Sequence, residues 1–320
     1  MTVQSSSELI ERGLARGKMP RAKSGRTYSY VLRGVALLFA AALALFAWSV
    51  IHQSWPAWST YGLHILTGTN WSPAEENFGG LALILATLIT TGVALLFAVP
   101  VGIGTALTLN FLVPRRLAGP LTTTVELLAA VPSVVYGLWG LNVIVPWMST
   151  TVQPWLASRT GGSWPFSGNA IGYGISTASM VLAVMVLPTI VAISRDVIAT
   201  VPRDLVEGAL SLGATRSQVL TRVVLPNAKI GLLGAVSLGA GRALGETIAV
   251  AMVIGSSPSM PHSLFSLGST LASTIATQYT DAPTMHLAAL GALAVILMVM
   301  TASVNAFARA LVRRGTKGAA

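Results

Sequence analysis

Cysteine is absent from this chain of 320 residues. Its absence excludes a disulfide framework, a thiolate metal site and a cysteine nucleophile, and leaves the redox compartment unread. Charge is scarce too: Asp, Glu, Lys and Arg make up 9% of the residues, against about 25% in an ordinary soluble domain. The four histidines, His52, His64, His262 and His286, are scattered, with no pair at metal-ligand spacing, so they read as interfacial rather than as ligands or catalysts. A phosphate-cradling loop of the Gly-x4-Gly-Lys-Ser/Thr kind is missing as well, which excludes nucleotide hydrolysis through such a loop. The run VGIGTAL at Gly102 and Gly104 starts like a dinucleotide fingerprint but has Leu107 where the third glycine belongs. It reads as helix packing.

Apolar sequence is abundant. Hydrophobic residues account for 53% of the chain and the mean hydropathy is +0.71, which implies a polytopic membrane protein. A bilayer core takes about 20 mostly apolar residues per helix. Six stretches meet that length, near 34–51, 81–107, 121–146, 172–194, 230–255 and 286–307. The expected fold class is all-α, with six transmembrane helices. Pro100 and Pro132 fall inside the second and third spans, where kinks are expected because a proline frees a carbonyl that its surroundings must satisfy. The expected division is a basic tail at 1–33, the first span with its outer loop at 34–80, a membrane core at 81–308 with a long inner loop at 195–229, and a second tail at 309–320.

A net charge of +10 would suggest nucleic acid in a soluble protein, but these basic residues follow the loops and form no patch with stacking aromatics. Arg12, Arg16, Lys18, Arg21, Lys23, Arg26 and Arg33 precede the first span, and Arg115 and Arg116 follow the second. Arg195, Arg203, Arg216, Arg222 and Lys229 follow the fourth, and Arg309, Arg313, Arg314 and Lys317 close the chain. Only Arg159 falls in a loop on the other side. By the positive-inside rule both termini are expected in the cytoplasm. The basic start is too long for a signal peptide and lacks a small-residue cleavage site, so the first span is expected to be retained. Trp55, Trp58, Tyr61 and Trp71 of the first outer loop read as interfacial anchors, or else as a docking surface for an external partner. The third outer loop, rich in Ser and Thr, has room for a short helix.

The inner loop SRDVIATVPRDLVEGALSLGATRSQVLTRVVLPNAKIG is too apolar and too helix-prone for a linker. Pro202 stands where a helix can start, Asp204 complements its positive end, Gly213 breaks the pattern, and Thr215 can cap a second helix running toward Leu225 and Pro226. Glu207, Gly208 and Ala209, then Gly213, then Val223, Leu225 and Pro226 resemble the EAA-type signature of ABC importer permeases. Gly208 stands for an alanine and Val223 for an isoleucine. The resemblance implies that this loop is a coupling helix seated in a groove of a separate ATP-hydrolysing subunit. A short rigid helix suits that task, since it transmits a rigid-body motion that a floppy loop would absorb.

The fifth span contains Arg242 and Glu246, in GRALGETIAV. A guanidinium at the bilayer centre costs about 2.5–3.5 kcal/mol on insertion scales, so it is expected to face the bundle. Residues four apart share a face of an unbroken helix, and Ser237, Gly241, Gly245 and Ala249 form a stripe of small residues beside the pair. Charge alone leaves two readings open. One is an ion pair that locks helix packing, joined by Glu126 of the third span; the other is an Arg242 fork that contacts an anionic substrate. Arg242, Glu246 and Glu126 together carry one net negative charge, so an anion is welcome only if a carboxyl is protonated or turned away.

AGRALGETIAVAMVIG closely resembles the fifth-span signature of the PstC-type permeases of phosphate importers. AAVPSVVYGLWGLNVIVPW, residues 129–147, resembles the Pro-Ser-Val-Val-Tyr-Gly segment of the same family, and the likeness covers the chain between residues 80 and 308. The resemblance implies a type I ABC importer permease fold in the bacterial cell membrane, moving inorganic phosphate by alternating access. It implies Arg242, Glu246 and Glu126 along the substrate path, with no catalytic residue and no metal ligand. No cofactor is expected in this chain, since ATP and Mg²⁺ would be bound by partner ATPases. The implied partners are a second, homologous permease subunit of PstA type, two ATPase subunits of PstB type, an extracytoplasmic phosphate-binding protein of PstS type, inorganic phosphate and membrane lipid, with no nucleic acid. Competing readings are a permease for sulfate or molybdate, an ion-coupled secondary carrier, and a membrane scaffold. A carrier has no need of a glycine-broken docking loop, and a scaffold gives Arg242 and Glu246 no role beyond packing.

Overall fold

The computed structural model describes residues 24–317. Arg12, Arg16, Lys18, Arg21 and Lys23 of the basic tail lie outside the described residues, as do 318–320. The chain divides into two units, residues up to Ser49 and Val50–Ala320. Helix α1 (Ser24–Tyr61) begins in the first and ends in the second. In the first unit Leu37, Leu38, Phe39, Leu45 and Phe46 are all at least 64% exposed, the surface of a helix whose solvent is hydrocarbon.

The second unit continues with α2 (His64–Thr67) and a two-stranded antiparallel ribbon, β1 (Trp71–Ser72) and β2 (Asn77–Phe78), which pairs Trp71 with Phe78. The long helices α3 (Leu81–Phe111) and α8 (Ile175–Ala199) flank a broken segment of α4 (Arg115–Ala130), α5 (Ser133–Trp139), α6 (Val145–Trp147) and α7 (Gln153–Thr160). The inner loop forms α9 (Arg203–Ser211) and α10 (Arg216–Val219), and then come α11 (Leu225–Leu244), α12 (Ile248–Ile254), α13 (Leu271–Gln278) and α14 (Thr284–Lys317). Among the described residues five helices are long and apolar enough to cross a membrane, and a sixth span results when the α4 arm and residues 133–160 are taken together.

That third span differs from the expected 121–146. Its two arms meet at 92°, and the second runs on to Thr160. Pro132 explains the corner: it forces Val131 out of the α region, and both residues are extended, with ψ of 131° and 141°. Elsewhere proline widens a helix without breaking it. Three π turns, Gly140–Ile144, Met148–Val152 and Leu220–Val224, each end two residues before a proline, at Pro146, Pro154 and Pro226. A proline cannot donate to the carbonyl four residues back, and the wider i→i+5 turn accommodates the lost bond. The second helix of the inner loop therefore does not stop at Pro226 but passes through it into the fifth span.

Helix α8 is the axis of the second unit: 67% of its most apolar window is buried, the largest share among the five unbroken spans. Ile190 is gripped from two sides. A Cβ on Gly102 of α3 would lie 2.8 Å from Ile190 Cγ2, and one on Gly239 of α11 would lie 2.8 Å from Ile190 Cγ1. Gly102 is thus a packing glycine, as VGIGTAL suggested. On α11 the small residues buried in the bundle are Ala228, Ala235, Gly239, Ala240 and Ala243, a set displaced from the expected stripe, of which Ala249 alone, beyond the break, is buried. Ser237 and Gly241 face α14 instead, through a bond from Ser237 Oγ to Asn305 Oδ1 at 2.8 Å and through Thr301, whose Cγ2 would lie 4.0 Å from a Cβ on Gly241. Close packing of this kind holds helices together where lipid removes the hydrophobic drive.

Beside the two-stranded ribbon Trp71 is a core residue, only 2% exposed, which corrects its reading as an interfacial anchor. Its indole N–H donates to Gln278 Oε1 at 3.0 Å, as a buried tryptophan requires. His286, also buried, lies 3.0 Å from the same oxygen and stacks on Phe78. Trp55, by contrast, is 66% exposed, as an anchor should be. The third outer loop does contain its short helix, α13.

Candidate substrate path and coupling surface

The fifth span breaks just after Arg242, at its second charge. Helix α11 ends at Leu244 and α12 starts at Ile248, leaving Gly245, Glu246 and Thr247 outside the helical ladder. Glycine is a poor helix former, and Glu246 Oε1 accepts the N–H of Ala249 at 3.3 Å, a side-chain cap for the next helical start. The expectation of a shared face on one continuous helix gives way to this geometry.

The break also places each charge well. Arg242 lies in the last turn of α11, where exposed carbonyls favour a cation, and Glu246 lies two residues before α12, facing its free N–H groups, which favour an anion. Glu246 is 9% exposed. Arg242, half-buried, donates from Nη1 to Thr189 Oγ1 on α8 at 3.1 Å. Among the described residues no ion pair joins Arg242 to Glu246 or to Glu126.

Glu126 has another partner. Its Oε1 lies 3.4 Å from Arg195 Nη2, which also approaches Asp196 Oδ1 at 2.7 Å. Arg195 sits six residues beyond Thr189 on α8, about 9 Å further along the axis at 1.5 Å per residue. Asn110 of α3 donates to the Arg195 carbonyl at 3.2 Å, fastening the same level. The Tyr136 hydroxyl donates across the 92° corner to the Leu128 carbonyl at 2.8 Å, holding the two arms of the third span. Thr189 and Arg195 make contacts the sequence reading did not assign. Thr189 stands beside a proline in an apolar span and gives no local signal, whereas Arg195 is readable only as the positive end of a span.

The inner loop folds as its residues imply. Pro202 precedes α9, Asp204 lies in its first turn, and Gly213 turns the chain at φ +85°. Thr215 and Gln218 form a reciprocal cap on α10, with bonds of 3.3 and 2.8 Å. Val206, Ala209 and Val219 pack inward with Ala106, Ile198 and Leu232. Leu205, Leu210 and Leu212 face out, Leu212 at 91% exposure. Of the signature residues, Glu207, Gly208 and Gly213 are exposed, while Ala209, Val223 and Leu225 are half-buried and seat the loop on the bundle. Beside it an open cavity of about 580 Å³ is lined by Asn110, Ile198, Arg203, Glu207 and Arg216 among others.

Up to six candidate spans, the fifth of them broken and charged, and a glycine-turned helical loop between the fourth and fifth fit a membrane permease subunit of an ABC importer. The fold is similar to two solved structures. One is a bacterial alginate ABC transporter, at a TM-score of 0.58 and 19% identity over 93% of this chain and 99% of that one. The other is the inward-facing MetNI methionine ABC transporter, at 0.56 and 18% over 73% and 95%. Residues 98–317 match the family described as binding-protein-dependent transport system inner membrane component. The phosphate transport system permease protein PstC of Mesorhizobium japonicum is 44% identical over 287 residues, 88% of either chain. Those of Pasteurella multocida and Haemophilus influenzae are each 42% identical, over 88% of this chain and 88% and 92% of theirs. The chain belongs to this family, in its PstC group.

Proposed function

We propose that this chain is the permease subunit of an ATP-driven importer that carries inorganic phosphate across the cell membrane by alternating access. The observation that supports it most is the broken fifth span, in a chain 44% identical to a PstC protein: Arg242 precedes the break and Glu246 lies in it, and neither spends its charge on the other. A guanidinium keeps its proton and offers five N–H donors, and the bond to Thr189 uses one. Glu246 is held by the Ala249 N–H and the positive end of α12, and Glu126 by Arg195. With both carboxylates engaged, Arg242 supplies the free positive charge that a crossing oxyanion needs. Glu246 lines the same level of the path, and Glu126 its wall further along α8.

In this reading an extracytoplasmic PstS-type protein delivers phosphate to the outer mouth, between this chain and a PstA-type permease. Two PstB-type subunits bind ATP and Mg²⁺ on the cytoplasmic side, where both termini lie, and α9 with Leu212 seats in their groove. No covalent bond is made or broken in this chain. The test is phosphate uptake in cells carrying Arg242→Gln, with membrane insertion and ATPase association measured separately. The expected result is an assembled complex that moves no phosphate, with sulfate and molybdate failing to compete in the wild type. Normal uptake by the assembled variant would overturn the reading.

A further inference from the structure

We infer that Thr189 is a second ligand of the transported oxyanion, its hydroxyl donating to an anion oxygen beside the Arg242 guanidinium. The inference rests on Arg242 lining the path. Helical threonines of this bundle commonly turn the hydroxyl onto the carbonyl four residues back, as Thr87, Thr105, Thr108 and Thr301 do. Thr189 does not. Its Oγ1 accepts from Arg242 Nη1 at 3.1 Å, and among the described residues its own proton has no acceptor. A hydroxyl has one proton to give and two lone pairs, so accepting from arginine leaves that proton for a ligand. Accepting from a cation also polarises the O–H and makes it a stronger donor.

The position is rigid as well as chemically apt. The next residue, Ile190, is the one held between Gly102 and Gly239, and Arg242 follows Gly239 by three residues on α11. Three helices are therefore interlocked within a turn of both donors. A binding site gains most when its groups are fixed before the ligand arrives, because little ordering remains to be done. Arginine and threonine donors converging from two helices suit a tetrahedral oxyanion, which carries acceptors in every direction.

The experiment uses the complete importer, with its ATPase and binding protein, reconstituted in vesicles, and reads radiolabelled phosphate moved per ATP hydrolysed. Thr189→Val keeps the branched shape and removes the hydroxyl. It is expected to lower the ratio about tenfold or more, the scale of one hydrogen bond to a charged group. Thr189→Ser, which keeps the hydroxyl, is expected to restore it. A threonine that merely packs would, on replacement, lower transport and ATP hydrolysis together. A Thr189→Val importer with the wild-type ratio overturns the inference, and Thr189→Ala supplies the same reading should the valine variant assemble poorly. Loss of transport in Arg242→Gln beside a normal Thr189→Val would reject the threonine alone, whereas normal transport in Arg242→Gln would reject the path on which it depends.

Discussion

Arg242 ends the helix before the break in the fifth span and Glu246 lies within that break, and each is stabilised by the neighbouring helix end rather than by the other. The arrangement reconciles two demands. Ionised groups inside a bilayer need compensation, yet a guanidinium neutralised by a carboxylate has little left for an anion. Backbone dipoles supply part of the compensation without occupying the side chain.

Glu246 is therefore expected to matter to local stability through its oxygen as well as its charge. Glu246→Gln keeps an acceptor for the Ala249 N–H and loses the charge–dipole attraction, about 0.3–1 kcal/mol. Glu246→Ala loses both, costing about 1 kcal/mol more. Thermal midpoints of the detergent-purified complex should fall in the order wild type, Gln, Ala. Three equal midpoints would show that the side chain caps nothing.

The grip on Ile190 makes a second prediction. Gly239→Ala places a methyl 2.8 Å from Ile190 Cγ1, and the far side of that side chain is blocked by α3 at Gly102. With no room to yield, the variant should lose about 1–3 kcal/mol, the usual cost of overpacking. Ile190→Ala is destabilising alone by its cavity, but combined with Gly239→Ala it should cost less than the sum. Additive losses in that double-mutant cycle would mean that the two residues do not press on each other.

Legibility in the sequence followed the range of the interactions. The inner loop could be read residue by residue because its signals are local: Pro202, Asp204, Gly213 and Thr215 each act within a turn of themselves, and each does what it was expected to do. The break at Gly245 was less legible, since apolar periodicity runs on through it and only the Ala249 bond shows that Glu246 caps a new helix. Trp71 was misread for a similar reason. Its burial depends on Gln278 and His286, more than two hundred residues away. Which small-residue stripe meets α8 depends on how α11 is rotated, a tertiary fact that several neighbouring glycines and alanines fit equally well. Thr189 depends on the same rotation.

The proposed docking role of the α9–α10 loop can be separated from its role in the fold. Leu212 is 91% exposed beside Gly213, so Leu212→Glu should leave the stability of the permease within about 0.5 kcal/mol, as surface changes usually do. Retention of the ATPase on affinity-purified permease should nonetheless fall sharply. Gly213→Ala acts differently: no atom lies within 4 Å of its added Cβ, and the cost is the left-handed backbone at φ +85°, about 1–2 kcal/mol. ATPase retention unchanged by Leu212→Glu would move the docking surface away from this turn.

Glu126 and Arg195 make the sharpest contrast with Arg242. The Glu126 side chain is 53% exposed and Arg195 has Asp196 as a second carboxylate, so the pair is screened and is worth about 0.2–1 kcal/mol. Removing the charge leaves Arg195 still compensated and leaves the Arg242 donors untouched. Glu126→Gln should assemble normally and transport phosphate within about fivefold of wild type. Any difference should shrink as salt is raised and exposed charges are screened. Arg242→Gln should be inactive at every salt concentration, because its loss is one of donors at a half-buried site rather than of long-range attraction. An assembled Glu126→Gln complex without transport would require this carboxylate to act on the anion itself, and would extend the chemistry of the path from the level of Thr189 down to that of Arg195.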